Sequence, residues 1–220
     1  MSDPVPPRVR EYADQAVAYV ERALGIKLEF DSDTLPVLDH YLHTAFASSF
    51  SPGDLGGERG AGTISGPVAP ALELVLATAG AYFGEVVRRL LGGRWELGDK
   101  DADWRVVLPT GLNFSPAGVV AAAIAQADLE DFDSEIATPP RMMPYVQQAL
   151  SRMGEVTVEE YYSLCGRLDT LEHLHEVLVT VAAQMLGDGV DSDDGDGDGD
   201  DAGDGDGDHA ATDDAAGRVN

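Results

Sequence analysis

The longest apolar run in the chain, PVAPALELVLATAGAYFGEVV over residues 67–87, carries only two charges, Glu73 and Glu85. A run of this length folds as a helix, and what surrounds it is either lipid or other protein. Two carboxylates at spanning depth are costly in lipid, so no membrane is expected and the run is read as a helix of a soluble domain. On that helix Leu72, Val75, Leu76, Ala79, Phe83, Val86, Val87 and Leu90 gather on one broad side. Glu85 falls on the other side with Arg88 and Arg89, in the favoured acid-before-base order. The expectation is a solvated surface pair of about 0.2–0.5 kcal/mol. A tie to the hairpin or a neighbouring helix and a catalytic or ligand-binding carboxylate are the alternatives. Gly80 and Gly84, four apart, leave room for another backbone to approach.

The rest of the chain offers shorter partners for this helix. RVREYADQAVAYVERALG places apolar residues at helical spacing behind Pro6 and Pro7 and ends at Gly25. IKLEF reads as a short strand, and Asp33 as the cap of a second helix that buries Leu35, Leu38, Leu42 and Phe46. RWEL and WRVVL, joined by GDKDAD, read as a hairpin presenting Trp95, Leu97, Trp104, Val106 and Leu108 to a core. Ser115 and Pro116 open a further helix. PRMMPYVQQALSRMG reads as another, stopped at Gly154. Thr157-Val-Glu-Glu160 is a capping box opening a long helix to about Leu186. The fold class expected is α+β, mostly helical with a small antiparallel hairpin or sheet. One globular domain covers 1–187, with a flexible glycine-rich loop at 48–66, and a disordered Asp/Gly-rich tail covers 188–220.

Charge separates the same two regions. Forty acids against fourteen bases give −26, of which 188–220, with thirteen Asp and one Arg, supplies −12. Such a field repels phosphate backbones, so nucleic acid is not an expected partner, whereas a basic protein surface is. A single cysteine, Cys165, excludes an intrachain disulfide. MSDPVPPRVREYADQ lacks a basic stretch followed by an apolar one, so no signal peptide is read and a cytoplasmic location is expected.

The motifs GAYFGEVVRRLLGGRW, DWRVVL and NFSPAGVV set a glycine–glutamate helix before a G-G-x-W strand start and an N-x-x-P helix start. Over 72–126 this resembles an uncharacterised bacterial domain family common in GC-rich genomes. The resemblance implies no assigned activity and therefore supplies no catalytic residues.

Catalytic motifs are not found in the residues themselves. The glycines at 57 and 62 have P-loop spacing, but Thr63 and Ile64 stand where Lys and Ser or Thr are needed. His40 and His43 share a helix face beside Asp39 without a completing ligand, and Cys165 reads as a buried thiol. In the tail, Asp194, Asp196, Asp198 and Gly199 start a calcium-loop frame whose twelfth position is Gly205 instead of glutamate. No cofactor is expected beyond weak, non-specific divalent-cation association by the tail. The leading reading is a non-enzymatic, cytoplasmic interaction or regulatory domain that binds a basic protein, in the manner of an immunity partner. The alternative is a small-molecule-binding protein or enzyme with a site between the glycine-rich loop and the tryptophan hairpin. Its residues would be Glu85, Arg88, Trp95, Trp104 and Asn113.

Overall fold

The computed structural model describes residues 4–46, 61–62 and 70–187. The expectations for the 48–66 loop, the 188–220 tail and its residues Asp194, Asp196 and Asp198 lie outside the described residues, apart from the backbone of Ala61–Gly62. The helices are α1 (Pro7–Leu24), α2 (Leu35–Phe46), α3 (Pro70–Leu91), α4 (Pro116–Ala125), α5 (Met143–Arg152), α6 (Val158–Tyr162) and α7 (Leu164–Gly187). Strands β2 (Arg94–Glu96), β3 (Arg105–Val107) and β4 (Asn113–Phe114) form an antiparallel sheet in that order. Trp95 pairs with Val106, and Val106 with Phe114. Strands β1 (Ala61–Gly62) and β5 (Asp128–Leu129) make a separate parallel pair. The fold is thus α+β, mostly helical with a small antiparallel sheet.

Helix α3 is the axis of this arrangement, with α1 and α4 as its main neighbours. Every residue from Thr78 to Arg88 is buried, so the expected solvated side does not exist. The physical reason is that α1 covers one flank while α4 and the hairpin cover others, leaving no side for water. Glycines permit the crowding. A Cβ on Gly80 would lie 2.9 Å from the backbone nitrogen of Ala117, and one on Gly84 would collide with the Trp95 ring. Among the described helices α3 alone is long and apolar enough to cross a membrane. Protein encloses its middle, residues 78–88, and 72% of its most apolar stretch is buried.

Local signals mostly act where they were read. Pro7 opens α1, and Gly25, at φ 71°, closes it by donating its N–H to the Glu21 carbonyl. Ser115 Oγ accepts the Gly118 N–H at 3.2 Å to start α4. Both halves of the Thr157–Glu160 capping box form. Four expectations need correction. IKLEF is not a strand: the chain stays irregular there and Phe30 turns to φ 59°. The turn before α2 is held by Asp31, which accepts from the Thr34 N–H at 3.0 Å, and not by Asp33. Leu97 points outward and is 46% exposed, whereas Trp104, Val106 and Leu108 are buried. Finally, the capping box opens only a short helix. The chain breaks at Ser163, in extended conformation, before α7 starts again.

That break has a tertiary cause. The carboxylate of Asp39, on α2, accepts from the backbone N–H groups of Leu164 at 2.9 Å and Cys165 at 3.3 Å. Ser163 Oγ accepts from Gly166 N–H at 2.9 Å. Three otherwise unmatched donors at the start of α7 are thereby satisfied, two of them from across the fold.

Candidate functional site

Three of the five residues named as a possible site do come together. Both oxygens of Glu85 are used. Arg88 donates from Nε to Oε2 at 2.8 Å and from Nη2 to Oε1 at 2.9 Å, and Arg89 Nε donates to Oε1 at 2.7 Å. Trp95 Nε1 adds a longer bond to Oε2 at 3.4 Å. Glu85 is 2% exposed, so this is a buried ion cluster tied to the hairpin, not a surface pair. Burial by itself would raise the Glu85 carboxyl. The hydrogen bonds from Arg88 and Arg89, the Arg88 charge and the Trp95 bond outweigh it and hold the group below the usual glutamate value. A carboxylate whose four donors are already in place is fixed as an anion and has no role as a proton donor.

The remaining two residues take other partners. Trp104 is buried, edge-on to Trp95 at 6.4 Å and stacked on Tyr12 at 5.7 Å. Asn113 accepts from Arg105 Nη1 at 3.1 Å and pairs its backbone with Ala137. Arg105 also pairs with Asp133. The two tryptophans pack against each other, and neither they nor Asn113 join Glu85 and Arg88 in lining the hollow beside that pair. That hollow measures about 280 Å³.

A larger cavity lies elsewhere. It is a cleft of about 570 Å³ between the first turns of α3, the 3-10 turn Asp101–Asp103 of the hairpin, α4, and Asp131–Phe132. Leu74, Leu76, Ala77, Ala117 and Phe132 supply apolar surface, and Glu73, Asp101 and Asp131 supply carboxylates against one ammonium, Lys100. Leu74 is 40% exposed at the cleft. Asp101 is held by α1: its Oδ2 accepts from Tyr12 OH at 2.9 Å and Arg8 Nη2 at 3.0 Å. Its Oδ1 is buried without a hydrogen bond, 2.8 Å from the same guanidinium nitrogen. Sequence reading missed this cleft. GDKDAD reads as a turn, but nothing in its spacing says that Asp101 would line a cleft with Glu73 and Asp131.

His40, His43, Asp39 and Cys165 line another depression, of about 400 Å³. Burial, then the nearby Asp39 carboxylate, pushes the Cys165 thiol up to about 12, so it is not a nucleophile near neutral pH. Burial also raises Asp39, against the backbone N–H groups of Leu164 and Cys165. Among the described residues no group of three or more His, Cys, Asp or Glu side chains is placed to hold a metal ion. No protein-family model matches the chain, and no curated protein or solved structure matches it either.

Proposed function

We propose that the chain is a non-enzymatic interaction domain that binds a basic, partly apolar segment of another protein in the cleft beside Asp101. One observation carries the reading: a cavity of about 570 Å³ combines an apolar floor with, among the described residues, three carboxylates against one lysine. A segment alternating Lys or Arg with Leu-like side chains complements both features at once. The net charge of −26 lengthens the range over which such a partner is attracted, and residues 188–220 contribute −12 of it. On this reading the protein acts in the cytoplasm as a neutraliser or regulator, as an immunity partner does for a toxin. Helices α3 and α4, which lie mostly buried, carry one side of the cleft, and the exposed hairpin turn carries the other.

The test is binding of the partner across a salt series, with the full chain and with E73Q/D101N/D131N. The variant still carries −23, so general attraction is nearly unchanged while the described cleft lining loses all three carboxylates and keeps Lys100. Loss of three rim pairs weakens binding about tenfold at low salt. Equal binding by both proteins contradicts the assignment. A second reading, a small amphipathic cation in the same cleft, is favoured by the volume of about 570 Å³, which suits a drug-sized ligand. A thermal-shift screen with organic amines separates it from the first.

A further inference from the structure

The hollow of about 280 Å³ between α1 and the end of α3 has the opposite electrostatic character to the cleft and shares no residue with it. Among the described residues its charged lining is Arg10, Asp14, Glu85, Arg88 and Arg89, three guanidinium groups against two carboxylates. Glu85 is fully occupied, so the donors it does not use decide what the hollow attracts. Arg89 gives only its Nε to Glu85, and its Nη groups make no hydrogen bond among the described residues. The Arg10 side chain is exposed at the hollow and, among the described residues, has neither a hydrogen bond nor an ion pair.

The far wall is built to hold Arg89 in place. Its guanidinium carbon lies 4.4 Å from the centre of the Phe30 ring. Phe30 is bulky yet sits at φ 59°, a costly conformation for such a residue. It is kept there by its N–H, which donates to Tyr82 OH at 3.0 Å, and by ring contact with Tyr82 at 4.8 Å. The result is a held cation whose Nη groups have no hydrogen bond among the described residues, lining the same hollow as a second cation, Arg10.

We infer that this hollow binds a small oxyanion, a carboxylate or phosphate group, between Arg10 and Arg89. The net charge of the chain does not forbid this. Remote charges are screened over about 8 Å at physiological salt, and the local balance is positive. Asp14 is the opposing element, because its carboxylate lies in the same hollow.

The experiment follows the arginine Nε–Hε resonances of the full chain by NMR at constant ionic strength. Inorganic phosphate, acetate and chloride are titrated in separate arms. Saturable shifts of Arg89 with phosphate or acetate, exceeding those with chloride, are expected, and the stronger arm identifies the oxyanion. The exposed positions give two variants that leave the core alone. R10Q weakens the oxyanion about two- to five-fold, and D14N tightens it by a similar factor. Shifts that match chloride, fail to saturate, or are unaltered by both variants overturn the proposal.

Discussion

Glu85 shows how far one residue's meaning depends on its surroundings. The same i, i+3 and i, i+4 spacing to Arg88 and Arg89 is worth a few tenths of a kcal/mol in water, yet here Glu85 and Arg88 are both buried. Removing one partner from such a cluster leaves an uncompensated charge. E85Q is therefore expected to lower the unfolding free energy by about 3–5 kcal/mol in urea titrations. E85M/R88M, which removes both charges and keeps the volume, should recover most of that loss. A double variant as unstable as E85Q would show that the cluster does more than satisfy itself. The pH dependence has a defined sign. Glu85 is held below its usual value, so its contribution is complete above the unfolded value and is lost as pH falls through the lowered folded one. Asp39 is raised, so its contribution is present below the unfolded value and is lost as pH rises through the folded one. Relative to wild type, the deficit of E85Q should shrink on acidification and that of D39N should shrink on going up in pH. Parallel profiles would contradict the assignment. Cys165, pushed up to about 12, should resist iodoacetamide at pH 8 in the native protein and react once unfolded.

The elements separate what neighbours along the chain decide from what distant residues decide. Pro7, Gly25, Ser115 and the Thr157–Glu160 box act through bonds within a few residues, and their helix ends were legible. The break at Ser163 was not, because it depends on Asp39 reaching α7 from α2, 125 residues earlier in the chain. Nor was the burial of Glu85, since an amphipathic pattern names the stripe that packs first and not what later covers the other side. The strand reading of IKLEF failed for a related reason: Tyr82 pins Phe30 in a turn that no local propensity favours. The cleft takes its rim from α3, the hairpin turn and the loop after β5, which no periodicity links. Glycine packing offers a test at this scale. A Cβ on Gly118 would strike the backbone carbonyl of Asp133, whereas one on Gly84 would strike the side chains of Trp95 and Pro116. G118A should therefore be the more destabilising of the two in thermal melts, because backbone has less room to yield. Equal shifts in melting temperature would show that the Asp133 loop moves freely.

At the scale of the whole molecule, charge and cavity point to the same kind of partner. General attraction to a chain of −26 is expected to fade as salt rises, whereas a seated segment also keeps its apolar contacts. The two contributions are separable because Leu74 lies on the cleft floor and is 40% exposed, so L74S removes apolar contact without altering charge or core. The most direct test is a calorimetric titration of the full chain, L74S and E73Q/D101N/D131N with a peptide of alternating lysine and leucine, at low and physiological salt. The expected result is one saturable site in the wild type, weakened about tenfold by the charge variant at low salt and weakened by L74S at both salts. Identical isotherms for all three proteins would contradict the cleft as the place where a basic partner binds.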